Sequence, residues 1–409
     1  MRFPALRSRD FRLYLAGNFF ALNANWILRL VTGWLGWQLT GSVTWTGILA
    51  FLLFAPTMVS GPLFGVVADR VDIRRAGLLI QSLLLALALL LLAMFLGGLL
   101  GIWVLAALAL AFGIVTSAYH PIRMSMVPRL VERDGIANAI SITSINFNLG
   151  RFIGPAVGGW LIHRFGAGFA IGVIVACYLP FIAALVFLRP RERNNPTPAQ
   201  GSLLAQLLDG GRYAWRHPVI LKGLALIALF AVILRGTLEL LPALADGVYA
   251  RGADGLGQAA ASAGVGALFS SFAMAMLPTG ERTAIPATAI AGILGGLALT
   301  AALGTVPGWW ITLLLLAGMG FCGTIVGVSL MQTIQMQVDD AYRGRVMSLW
   351  GVVGIGGAAT GAAVLGAVAD LFGLPAVLLA GGLGGMAVAG LLWAWRPVRQ
   401  AAQREGAGE

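Results

Sequence analysis

Four charged side chains stand inside long apolar runs, Arg29, Arg151, Arg235 and Glu239, and any chemistry this chain performs has to start from them. Charge in apolar surroundings is costly and by default marks a functional position. Arg235 and Glu239 are spaced i, i+4, which places a cation and an anion where they can pair on one helix. Glu239 is the one acid well inside an apolar run, so it is the first candidate for reversible proton uptake, followed by Asp370 and His163 near the ends of other runs. Asn18, Asn25 and Arg29 fall at i, i+7 and i+11, and Ser144, Asn148 and Arg151 at i, i+4 and i+7, so each set makes a polar stripe along a helix. Gathered around one cavity with Arg235, the stripes would set three arginines against one glutamate and favour an anionic amphiphile. The alternative is that the arginines satisfy backbone carbonyls or pair with Glu239. His120, His163 and His217 are scattered, and Cys177 and Cys322 sit alone in apolar runs. Neither a His-Glu-x-x-His nor a Gly-x-x-x-x-Gly-Lys run occurs. No metal site, cofactor, catalytic cluster or ATP-driven pump is therefore expected.

The elements that must hold these residues follow from composition. Of 409 residues, 59% are hydrophobic and 11% charged, and the mean hydropathy is +0.88. Soluble domains carry about 25% charged residues, so the solvent here is a lipid bilayer. At about 20 residues per crossing, apolar runs give twelve spans near 13–38, 46–67, 76–98, 101–122, 138–162, 168–188, 219–241, 256–277, 284–304, 308–333, 346–369 and 374–395. A cleavable leader is not expected, because basic residues up to Arg12 lead into a first run that is too long and polar. Of the 27 basic residues, only Arg164 and Arg251 fall on the side opposite the termini, and Arg29, Arg151 and Arg235 fall within spans; the rest flank spans on the terminal side. Short basic loops stay in the cytoplasm, so both termini are expected there. Spread over separate short segments, the +11 net charge reads as topology and not as a nucleic-acid surface.

The polar stretch opening Arg189-Pro190-Arg191-Glu192-Arg193 separates two sets of six spans. This divides the chain into an N-terminal bundle (1–188), a linker with a short helix starting after Ser202 (189–218), a C-terminal bundle (219–396) and a tail (397–409). An offset of 207 residues lays Gly154, Ala156, Val157, Gly159, Phe165 and Gly166 on Gly361, Ala363, Val364, Gly366, Phe372 and Gly373. Six spans per half, an even number, give both halves the same orientation. The expected fold is thus an all-α integral membrane protein, twelve helices in two pseudo-symmetric six-helix bundles.

Between spans two and three the chain reads Gly65-Val66-Val67-Ala68-Asp69-Arg70-Val71-Asp72-Ile73-Arg74-Arg75, an acid at a helix end followed by arginines that can pair with it. This loop resembles the signature of the major facilitator superfamily, matching it at Gly65, Asp69, Arg70, Arg74 and Arg75, with Asp72 where a glycine is usual. The resemblance implies a conformational latch against the eleventh span. Gly150-Arg151-Phe152-Ile153-Gly154-Pro155-Ala156-Val157-Gly158-Gly159 resembles the fifth-helix motif of the superfamily's exporters, with Gly150, Gly154, Pro155, Gly158 and Gly159 in register. Asp209-Gly210-Gly211-Arg212-Tyr213 and Tyr342-Arg343-Gly344-Arg345 look like the branch that exports drugs and siderophores. What the resemblance implies is a monomeric inner-membrane secondary transporter, not an enzyme, exporting a small amphipathic molecule by alternating access and proton antiport. An importer, a lipid flippase and a channel are the competing readings.

Overall fold

In lipid every backbone N–H and C=O has to bond within its own segment, which leaves helices as the way to cross. The computed structural model describes residues 4–68, 71–191, 203–276, 284–306, 308–339 and 342–394, and among them there are helices and no strands. They are α1 (Arg9–Thr40), α2 (Val43–Ala68), α3 (Ile73–Leu96), α4 (Ile102–Met126), α5 (Ile136–Phe165), α6 (Ala167–Phe187), α7 (Leu203–Arg216), α8 (Pro218–Phe230), α9 (Gly236–Glu239), α10 (Gly252–Met276), α11 (Ala287–Leu303), α12 (Trp309–Gln337), α13 (Arg343–Phe372) and α14 (Leu374–Ala394). Among the described residues each apolar run overlaps helical chain, and seven helical stretches are long and apolar enough to cross a bilayer. The expected short linker helix is α7; its proposed cap Ser202 and the 397–409 tail lie outside the described residues.

The seventh run departs from expectation. It is not one α-helix: a π turn, Ala231–Arg235, separates α8 from α9, and a second one, Ala243–Val248, follows. The first π turn sits where α13 comes closest, a Cβ on Gly361 meeting the Val232 carbonyl carbon at 2.6 Å. The local sequence gives no signal for this turn, and α13, which packs against it, lies more than a hundred residues away.

Small residues set the helix spacing, as they do where lipid gives no hydrophobic drive between helices. On α5, Gly150, Gly154 and Gly158 ride along α1: a Cβ on each would stand 3.3 Å from Leu22 Cβ, 2.5 Å from Trp26 Cβ and 3.1 Å from Leu30 Cδ2. At the repeat offset, Gly357 of α13 meets Ala231 Cβ at 2.9 Å, so α13 grips the seventh segment as α5 grips α1. The turns α5–α6 and α13–α14 pass through Gly166 (φ 84°) and Gly373 (φ 83°), again 207 apart, a conformation that costs glycine nothing.

Among the described residues the two halves come into close backbone contact at the end of the bundle that holds Thr40 and Phe372, here the far end; Arg9 and Arg343 mark the near end. A Cβ on Gly159 would lie 2.6 Å from Gly257 N of α10, and one on Gly366 lies 2.6 Å from Val43 O of α2. Beside the second contact, the Asp370 carboxylate accepts from Ser42 Oγ (2.5 Å), Val43 N (2.8 Å) and Thr44 N (3.1 Å). An acid of one half thus caps the helix start of the other. Removing such a cap costs about 1–2 kcal/mol. Asp370→Ala is therefore expected to loosen this end, read as faster maleimide labelling of a Thr44→Cys variant in a chain without Cys177 and Cys322; labelling at the parental rate would contradict the capping role.

Candidate functional site

A cavity of about 330 Å³ lies where the halves face each other, midway along α1 and α5. Its wall carries Arg29 from α1, Arg151 from α5, Arg235 from the π turn and Glu239 from α9, with Trp26, Phe54 and Phe147 as aromatic surface. The four charged residues that stood out in the sequence are thus brought together.

Their pairing differs from the expected one. Glu239 does not close on Arg235 one turn back. Its carboxylate takes Arg29 of the other half, Nε donating to Oε2 at 2.8 Å and Nη2 closing on Oε1, a two-pronged ion pair across the interface. The Arg29 guanidinium also lies over the rings of Phe54 (4.4 Å) and Trp26 (5.1 Å), so stacking fixes its plane where Glu239 can reach it. Arg235 turns instead toward α12 and α13. A Cβ on Gly327 would stand 3.2 Å from Arg235 Nη2, and one on Gly354 would stand 4.0 Å from Nη1, so the two glycines make the slot that receives the guanidinium. Arg235 Nε is buried without a hydrogen-bond partner.

The stripes hold only in part. Asn18 is fully buried and accepts from Tyr119 Oη at 2.5 Å, and Asn25 accepts from Tyr178 Oη at 2.9 Å. Both amides serve packing inside the N-terminal half, because tyrosines on α4 and α6 reach them first. Ser144 donates to Ile140 O at 2.9 Å on its own helix, Asn148 is exposed, and neither lines the cavity. Of the exporter-like motif, Pro155 borders the cavity while α5 runs through it unbroken; the glycines act by close approach.

Asp370 is engaged as a cap, and His163, its partner by the repeat, is exposed at the end of α5. Asp69 and Arg70 lie outside the described residues, and Gly65 is described only as part of α2. Asp72, standing in place of the usual glycine, caps α3 by accepting from Arg74 N (2.9 Å) and Arg75 N (3.2 Å). Arg74 donates to the last carbonyls of α6, Leu185 O at 2.9 Å and Val186 O, and Arg75 pairs with Asp72 at 3.6 Å, so both contacts stay within one half. The two weaker motifs do meet. Tyr213 of α7 stacks between His217 (4.0 Å) and Tyr342 (4.3 Å), and Arg345 reaches Asp209 at 3.9 Å.

Sequence reasoning missed several participants. Trp26, Phe54 and Phe147 looked like any apolar residues of a span. Another bond across the halves, Trp37 Nε1 donating to Asp246 Oδ2 at 2.8 Å, joins α1 to the second π turn. Spacing of 209 residues gives no local signal for that contact, though an acid beside an apolar run could have been marked.

Comparisons with known proteins agree with this architecture. The sequence matches the family described as transmembrane secretion effector over residues 2–406. It is 28% identical over 369 residues to the enterobactin exporter EntS of Escherichia coli O81 (strain ED1a), covering 87% of this chain and 82% of that protein. Among solved structures, the nucleoside transporter NupG superposes with a TM-score of 0.71 at 12% identity over 95% of this chain and 100% of its own. A bacterial homologue of the human lysosomal transporter Spinster, in an inward-facing and unoccupied conformation, gives 0.66 at 16% identity, over 94% and 96%. A match across nearly the whole chain, on a helical bundle with a charged cavity between its halves, settles the classification: the chain belongs to the transmembrane secretion effector family of major facilitator superfamily transporters.

Proposed function

We propose that this protein exports a small amphipathic molecule of drug or siderophore type by alternating access and proton antiport, as a monomer in the inner membrane with both termini in the cytoplasm. The observation that carries the reading is the Arg29–Glu239 pair, which ties the two halves together inside the central cavity. Protonating Glu239 removes the charge that holds Arg29, so a proton arriving there loosens the tie between the halves. Close backbone contact at the far end, Gly159 against Gly257 and Gly366 against Val43, supports alternating access over a channel, because it packs helix backbone of one half against helix backbone of the other at that end. With the termini in the cytoplasm, tight packing at the far end supports an inward-facing reading of this conformation. The basic segments flanking the near end support that orientation. Similarity to the enterobactin exporter supports export of a siderophore-like cargo.

In everted vesicles, a lumen made acid is expected to accelerate accumulation of a fluorescent amphiphile, and nigericin to abolish the acceleration. Equal rates with and without the gradient would remove the antiport reading. Unchanged drug and siderophore efflux between cells with and without the gene would remove export.

A further inference from the structure

The cavity holds two kinds of arginine. Arg29 is already engaged: one edge of its guanidinium is on Glu239 and its plane lies against Phe54 and Trp26. Arg151 and Arg235 border the same space, and among the described residues neither forms an ion pair. Arg235 Nε is also a buried donor without an acceptor. Once Arg29 and Glu239 cancel, the cavity keeps two positive charges, one contributed by each half of the molecule. Two like charges in apolar surroundings are unfavourable until an anion joins them, and a cavity of about 330 Å³ has room for one.

We propose that the transported molecule carries an acidic group, a carboxylate, sulfonate or phosphate, that is clamped between Arg151 and Arg235, with its apolar body against Trp26 and Phe147, while Arg29 is the counter-ion of Glu239 and not a substrate ligand. This rests on the export reading above and deepens it. Because one clamping arginine belongs to each half, the bound anion is a tie between the halves, and a neutral molecule of the same shape cannot supply it. Gly327 is a positioning residue: a Cβ there would stand 3.2 Å from Arg235 Nη2 and press the guanidinium aside by a few tenths of an ångström.

The probes are dansylglycine and its neutral amide, bound to the purified full-length protein in phosphatidylcholine nanodiscs. The acid is expected to bind at least about tenfold more tightly than the amide, the size of one charge-assisted contact. Arg151→Gln and Arg235→Gln are each expected to bring that ratio near one by weakening the acid alone, and Arg235→Lys to restore part of it. Gly327→Ala, which sets a Cβ 3.2 Å from Nη2, is expected to lower the ratio with the charge intact, and it serves as the test if Arg235→Gln does not fold. A ratio that survives these changes overturns the clamp, as does a parallel loss of acid and amide binding, the mark of a merely structural role. The outcome is separable from that of the export reading: gradient-driven transport with an acid-to-amide ratio of one leaves export standing without the clamp, and a selective ratio without transport does the reverse.

Discussion

Glu239→Ala is expected to destabilise the protein by about 3–5 kcal/mol, among the largest effects of any single substitution, because it strands the Arg29 guanidinium in an apolar cavity. The Glu239 side chain is 6% exposed and that of Arg29 27%, so bulk water replaces the lost partner only in part. The same physics predicts an asymmetry. Removing both charges together, Arg29→Met with Glu239→Leu, is expected to restore most of the stability, since replacing a buried pair by apolar groups of similar volume is often neutral or favourable. Thermal unfolding of the parent, Arg29→Met, Glu239→Leu and the double variant in detergent makes a double-mutant cycle, and additive losses would show that the two residues are not coupled. Transport separates the roles further. The double variant is expected to fold and yet to lose gradient-driven export, and Glu239→Gln, which keeps shape and hydrogen bonding without a titratable group, is expected to export without dependence on pH. A Glu239→Gln protein with the parental pH profile would take proton coupling away from this residue.

Gly159→Val is expected to stop transport almost completely while leaving the separate halves folded. Its Cβ would fall 2.6 Å from Gly257 N, on helix backbone that cannot swing aside as a long side chain could. Val adds bulk beyond that Cβ, so α5 and α10 have to part and the far end cannot close. The expected readout is permanent labelling of cysteines placed at that end, together with export at a few per cent of the parental rate. Gly366→Val should act alike through Val43 O. Gly390 of α14 has no neighbour within 4 Å of a built Cβ, and Gly390→Ala should stabilise by up to about 1 kcal/mol through helix propensity alone. Equal transport in Gly159→Val and Gly390→Ala would show that the far end does not need to close.

The fold was legible because its causes are local or periodic. Apolar runs of about 20 residues found the helices, and an offset of 207 found the pairing of α5 with α13 that the glycine contacts repeat. The charged site was legible as a set, since Arg29, Arg151, Arg235 and Glu239 do meet in one cavity. Its pairing was not. Arg235 and Glu239 satisfy the helical spacing rule, yet the widened turn beside them, the glycine slot in α12 and α13, and the stacked Arg29 across the interface decide the partners. Asn18 and Asn25 fail as cavity residues for the same reason, being taken up by Tyr119 and Tyr178, which no spacing on α1 could reveal.

The two seams of the far end, equivalent by repeat, are unequal in substance. Where α13 meets α2, the Asp370 carboxylate collects three hydrogen bonds. Where α5 meets α10, the corresponding residue is an exposed histidine and the contact is glycine on glycine. A door closed on both edges but bolted on one swings from the unbolted edge. The far end should therefore first part as a slit between α5 and α10, with the α2 and α13 edge acting as the hinge.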